Sequence, residues 1–234
     1  MKKILFLFFA GFFFTKALSQ NVSDADQLIV VVSKSWNDNH ALLLRFEKTG
    51  GKWKQLSPGD SVSIGKTGLA WGIGLHRSLS DGPVKKEGDK KSPAGIFELG
   101  YSYGWAEKAP EGVTYPYKNI TELSRCVDDP NSKAYNSILE ETSSKDWNSA
   151  ERMKIIDYKL LIVVNHNPEH LPGKGSCIFL HLNNTPTVGC TAMNDSTMLS
   201  LLTWLSPKKK VLLVQLPREV YHQVQTQWHL PVIH

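Results

Sequence analysis

The chain has 234 residues, 41% hydrophobic and 21% charged, which suits one domain with a real core and excludes disorder over most of its length. One apolar run stands out and it is short, so a multi-span membrane protein is excluded, and three cysteines are too few for a disulfide-built scaffold. The formal net charge is +5, but much of that excess sits in the first twenty residues.

Met1-Lys2-Lys3 makes a basic start. Ile4 to Phe14 is an unbroken apolar run of eleven residues, too short to span about 30 Å of hydrocarbon. Ala17 and Ser19 then place small residues at −3 and −1 of a cut before Gln20. This pattern predicts a secretory signal peptide over residues 1–19, and a single mature domain over 20–234 with no integral membrane segment. Removing Lys2, Lys3 and Lys16 from the 27 basic residues leaves 24 against 22 acids, a mature charge of +2. The basic pI is therefore partly the leader's, and it gives no support for nucleic acid as a partner.

Strand-like runs dominate the mature chain. Gln27 to Ser33 is short and β-branched. Ala41 to Glu47 and Lys52 to Leu56 flank Thr49-Gly50-Gly51 and read as a hairpin. Ser61 to Ile64 and Leu69 to Trp71 come next, and Ser78 to Pro93 reads as a polar, solvated loop, long enough to double as a binding loop. Tyr158 to Val164, Cys177 to His181 and Lys210 to Leu216 complete the strands. Three segments read as helices: Trp147 to Met153, Ser196 to Leu205 with its apolar residues on one face, and Arg218 to Trp228. Mostly strands with a late helix-strand-helix predict a mainly β sandwich or barrel decorated with short helices.

The chemistry is concentrated between Gly173 and Met193. His181 ends a strand, Asn183 to Pro186 turns the chain, and Thr187-Val188-Gly189-Cys190 leads toward a helix capped by Asn194, Asp195 or Ser196. A cysteine beside a glycine and ahead of a helix is expected among unpaired backbone N–H groups, which lower a thiol's pKa and bind an oxyanion. A histidine nine residues earlier, returned by a turn, is placed to act as its base.

These residues resemble the catalytic motif of YkuD-like L,D-transpeptidases. Phe179-Leu180-His181 matches the upstream histidine after an apolar strand, and Thr187-Val188-Gly189-Cys190 matches the Ser/Thr-His-Gly-Cys element, with Val188 in place of the second histidine. A divergent secreted branch of the family carries this shorter form. It also carries a Pro-Ala-Gly-x-Phe element, here within Ser92 to Phe97, and a Cys-Val-Asp-Asp…Tyr-Asn element, here Cys126 to Asp129 with Tyr135 and Asn136. A further departure is Ala192, where typical members have an arginine that helps hold peptide substrate.

The resemblance implies an exported enzyme of the periplasm or cell envelope acting on peptidoglycan stem peptides. Cys190 would be the nucleophile and His181 the general base, with the amides of Gly189 and Cys190 stabilising the oxyanion and no metal or organic cofactor required. Water as acceptor would make it an L,D-carboxypeptidase; loss of activity would leave a wall-binding protein. Thr187 belongs to the expected substrate side, as do Asp129, Tyr135 and Asn136 by resemblance alone. Asn165 either satisfies loop backbone or faces the cleft. Asp128 and Asp129, beside Pro130, otherwise read as carboxylates capping a turn. His166, His170 and His181 form a weak zinc pattern, disfavoured by Pro168 within it. A Cys126–Cys177 bridge would leave Cys190 free, but sequence leaves the pairing open.

Overall fold

The structure, a computed structural model, describes residues 21–77 and 81–233. The expected signal peptide lies outside the described residues. The strands are β1 (Gln27–Ser33), β2 (His40–Thr49), β3 (Lys52–Gln55), β4 (Asp60–Ser63), β5 (Leu69–Trp71), β6 (Ser92–Gly104), β7 (Tyr117–Asn119), β8 (Ser124–Cys126), β9 (Ile138–Glu140), β10 (Glu151–Arg152), β11 (Leu160–Val164), β12 (Phe179–Leu182), β13 (Thr191–Met193) and β14 (Val211–Pro217). The helices are α1 (Asp195–Trp204) and α2 (Arg218–Val224), and a single 3-10 turn spans Ile156–Tyr158.

Hydrogen-bonded neighbours run β1, β14, β6, β11, β12, β13, β4, β2, and β2 returns to pair with β1. The sheet therefore closes on itself, and the mainly β barrel-like architecture expected from sequence is what the chain adopts. β1 and β14 pair in parallel and are buried at every position, as their continuous apolar runs require. The β2–β3 hairpin turns at Gly50 and Gly51, both with positive φ, where the sequence placed it. Inside the barrel, Gln215 of β14 accepts from Thr191 Oγ1 at 2.8 Å and donates to Pro93 O at 2.8 Å, so its buried amide ties three strands together. Asn194 caps α1 by accepting from Thr197 N, and Met198, Leu201 and Leu202 are the buried face.

Three expectations fail for identifiable reasons. Trp147 to Met153 is not helical: β10 pairs antiparallel with β8, and the Asn148 N–H is taken by Asp129 Oδ2 at 2.8 Å. Tertiary pairing overrides the local helical pattern. Arg218 to Trp228 is helical only to Val224, although Trp228 remains fully packed. Ser78 to Pro93 is not simply a solvated loop: Lys85 is buried with its Nζ 2.5 Å from Asp89 Oδ1, and Lys85 N donates to Trp71 O.

The longest strand, β6, was hidden by its own punctuation. SPAGIFELGYSYG contains Pro93 and three glycines. Gly95 has φ +141°, and a Cβ there would lie 1.8 Å from the His76 ring. The buried imidazole thus dictates glycine inside a strand.

β10, β8 and β9 form a small second sheet. A disulfide between Cys126 and Cys177, 51 residues apart in sequence, fastens it to the segment entering β12. Cys126, Met153, Tyr158, Cys177, Phe179 and Cys190 share a small core of their own beside the barrel's main core.

Candidate active site

Cys190 stands immediately before β13, and β13 runs parallel to β12 with Leu180 opposite Thr191 and His181 opposite Ala192. This register sets Cys190 against the start of β12. Phe179 N donates to Cys190 Sγ at 3.3 Å, and the thiol donates to Cys177 O at 3.4 Å. A three-residue strand separates the cysteine from α1, so the thiol is not at a helix N-terminus as its sequence neighbourhood suggested. Its electrostatics follow the burial instead. Desolvation pushes the thiol well above its usual range, the Glu151 charge adds to this, and Phe179 N, Lys85 and Tyr158 oppose it. The resting group is a neutral thiol.

His181 is fixed in the complementary state. Its Nδ1 lies 2.8 Å from Leu182 O; a carbonyl only accepts, so Nδ1 carries the proton and Nε2 is the free acceptor. Burial lowers the pKa of this imidazole, against the Leu182 hydrogen bond and the Asp157 charge, which keeps it neutral and basic near pH 7. Its ring meets Tyr158 edge-on at 5.3 Å.

The loop before Cys190 is braced from two sides. Thr187 Oγ1 donates to Cys190 O at 2.6 Å and accepts from Gly189 N at 3.1 Å. Ser92 Oγ donates to the same carbonyl at 2.7 Å and accepts from Gly65 N at 2.8 Å. Gly189 N–H is thereby engaged, whereas Cys190 N–H has no acceptor among the described residues.

A cavity of about 450 Å³ is lined by Cys190, His181, Thr187, Val188, Tyr158 and Glu151. A smaller one, about 240 Å³, reaches Cys190 from the other side past Glu151, Lys85, Glu87 and Asp128. The structure thus brings Cys190, His181, Gly189 and Thr187 together. Val188 is 61% exposed at the mouth, and Ala192 is fully buried in β13.

The other sequence candidates lie elsewhere. Asn165 and Asn136 line a separate cavity of about 360 Å³ with the disulfide. Asn136 donates to His166 O and Asn167 O and accepts from Cys177 N at 2.9 Å, so its amide staples loops. Tyr135 donates to Glu87 Oε2 and accepts from Gly175 N at 3.2 Å. Asp129 accepts from the backbone of Asn148 and Asn131, which holds its carboxyl below the usual range. His166 accepts from Ile73 N at Nδ1 and donates from Nε2 to Lys174 O, so both ring nitrogens serve loop backbone. Among the described residues, no group of three or more His, Cys, Asp or Glu is arranged to hold a metal ion.

Sequence reasoning gave no role at the site to Glu151, Tyr158 or Ser92, although Ser92 opens the matched Pro-Ala-Gly-x-Phe segment. Glu151 lay in the stretch read as a helix, and Tyr158 counted only as the start of a strand. A lone acid between Trp147 and Met153 was the single available signal.

Residues 27–213 match the model of the YkuD family, the L,D-transpeptidase catalytic domain. The chain belongs to this family. Members act on peptidoglycan, and no helix among the described residues is long and apolar enough to cross a membrane. Two solved structures are similar: the helical cell shape determining protein Pgp2 from Campylobacter jejuni, at 15% identity and TM-score 0.37, and its K307A mutant, at 17% and 0.36. Each match covers 85% of this chain and 52% of the other, so the chain spans about half the length of those structures. No curated protein matches.

Proposed function

We propose that this YkuD domain is an exported L,D-transpeptidase of the periplasm or cell envelope, acting on peptidoglycan stem peptides through a Cys190 thioester. The observation that carries the reading is the matched pair in one cavity: a neutral thiol at Cys190, and a neutral His181 whose only uncommitted ring nitrogen is an acceptor. Cys190 Sγ attacks the carbonyl carbon of the bond between an L-centre and D-alanine, and the thiol proton passes to His181 Nε2. The raised thiol pKa makes this base necessary at the moment of attack, not before it. The free Cys190 N–H is the donor to the oxyanion, a contribution worth roughly 3 kcal/mol, while the Gly189 N–H stays with Thr187 Oγ1 and holds the loop that presents it. The C–N bond then breaks, and His181 returns its proton to the departing D-alanine amine. A second stem's amine attacks the thioester carbonyl, forms the crosslink and restores the thiol.

Thr187 holds the nucleophile loop, and Thr187 and Val188 border the substrate. Asp129, Tyr135 and Asn136 act at one remove, by holding the loops that place Cys177 beside Cys190. Asn165 belongs to the separate cavity and serves substrate only if a stem extends that far. No cofactor enters this scheme.

Incubating the protein with tetrapeptide muropeptides and weighing the products tests it. Crosslinked dimers that vanish in Cys190→Ser, with the melting temperature preserved, are expected. Tripeptide alone would assign the carboxypeptidase reaction, and unchanged substrate would assign a binding role.

A further inference from the structure

The Tyr158 hydroxyl stands between two groups of the Cys190 cavity. It donates to Glu151 Oε2 at 2.8 Å, and Tyr158, Glu151 and Cys190 line the same cavity, where the phenol opposes the rise of the thiol's pKa. Its ring is held edge-on by Phe179 and His181, each at 5.3 Å between centroids. The ring therefore stays put while the O–H rotates about its C–O bond. One O–H serves one acceptor at a time, so a phenol proton given to the carboxylate is withheld from the sulfur.

We propose that Glu151 is a positioning residue for the nucleophile, acting through Tyr158. When ionised, Glu151 holds the phenol proton and leaves the nascent thiolate with the Phe179 N–H as its donor beside a negative charge. When protonated, it donates its own O–H to the Tyr158 oxygen and turns the phenol O–H onto Sγ. The proposal rests on the reading of Cys190 as nucleophile.

The architecture fixes Glu151 for this task. It opens β10 opposite Cys126, Cys126 is bridged to Cys177, and the Cys177 carbonyl accepts from the thiol. The groups facing the carboxyl come from several elements. Glu87, from the segment before β6, and Asp128, after β8, repel its charge, while burial is the larger cause of its raised pKa, about 7. Lys85 lines the smaller cavity, but its ammonium is committed to Asp89 Oδ1 and Lys86 O. Lys90 lines that cavity too, and Lys66, Arg152, Asp157 and His181 line the larger one. Tyr158 is the group hydrogen-bonded to the carboxyl.

Iodoacetamide reads the thiol directly. Sγ bonds to the reagent's methylene carbon, iodide leaves, and the thiol proton goes to His181 Nε2. With Cys126 and Cys177 bridged, Cys190 is the one free cysteine of three, so intact mass reports it alone. The rate ratio of Glu151→Gln to parent should rise about tenfold from pH 6 to pH 8, because a carboxyl with pKa near 7 is about nine-tenths ionised one unit above it. In a Tyr158→Phe background the same ratio should stay flat. A Glu151→Gln rate offset by one constant factor at both pH values would overturn the proposal, as a merely structural role predicts. So would a tenfold rise that survives in Tyr158→Phe, because Glu151 would then act by charge alone. Should the Gln variant not fold, the parent decides: its rate should level or fall above pH 7, and a log-linear rise from pH 6 to 8 would refute the switch. Iodoacetamide requires no stem-peptide recognition, so this result and the muropeptide result stand or fall separately.

Discussion

A thiol that burial keeps protonated reacts only when something takes its proton. In the proposed mechanism His181 is that group: Leu182 O holds the proton on Nδ1, and Nε2 is left as the acceptor. His181→Ala should lower the acyl-transfer rate by about 10²- to 10⁴-fold. The parent should also show an acid limb below pH 6.5, since burial lowers the imidazole pKa and activity requires its neutral form. Loss of that limb in the variant, followed by steady-state rates between pH 4.5 and 8, supports the role; an unchanged limb would remove it. That Cys190 and His181 would come together was legible in FLH and TVGC, and they line one cavity. The state of the thiol was not, because three strand residues between Cys190 and α1 decide whether helix amides reach it. Glu151 and Tyr158 were not legible either: nothing local in WNSAERM says that its carboxyl is folded back toward a cysteine 39 residues away.

At the scale of elements, the site is made by attachment. β12 and β13 supply His181 and Cys190 by parallel pairing, Ser92 at the start of β6 grips the Cys190 carbonyl, and the small β10-β8-β9 sheet delivers Glu151. That small sheet has little core of its own, and the Cys126–Cys177 bridge ties it down across 51 residues of sequence. Closing a loop of that length stabilises by about 4 kcal/mol in the chain-entropy account. The double variant Cys126→Ala/Cys177→Ala should lose about that much in urea unfolding; a midpoint equal to the parent's would show that the sheet is held by packing alone. Sequence located β1, the β2–β3 hairpin, β14 and α1 because their periodicity or apolar runs are local. It missed β6 because glycine and proline normally break strands, whereas here Gly95 answers to the His76 ring and Pro93 offers its carbonyl to Gln215.

The fold buries titratable groups both inside and outside the Cys190 cavity, and they set how the whole molecule responds to pH. Burial holds His76 and His166 near pKa 4. An unfolded chain protonates both at about 6.5, so between 6.5 and 4 it binds more protons than the folded one, and stability falls as pH drops through that window. Glu151 works oppositely: its folded pKa near 7 exceeds the unfolded value, so its contribution is lost as pH rises from about 4.5 to 7. Two histidines outweigh one carboxyl. The melting temperature should therefore drop from pH 6.5 to 4.5, and more steeply in Glu151→Gln; a flat profile in the parent would contradict the burial of these imidazoles as neutral groups. The central claim is the covalent one, that stem peptide passes through Cys190. Intact-mass spectrometry of protein mixed with tetrapeptide stem and quenched in acid tests it most directly. The expected result is an adduct equal to the stem less its terminal D-alanine, mapped to Cys190 and absent in Cys190→Ser. Turnover of the stem with no adduct at any quench time, or an adduct that persists in Cys190→Ser, would contradict it.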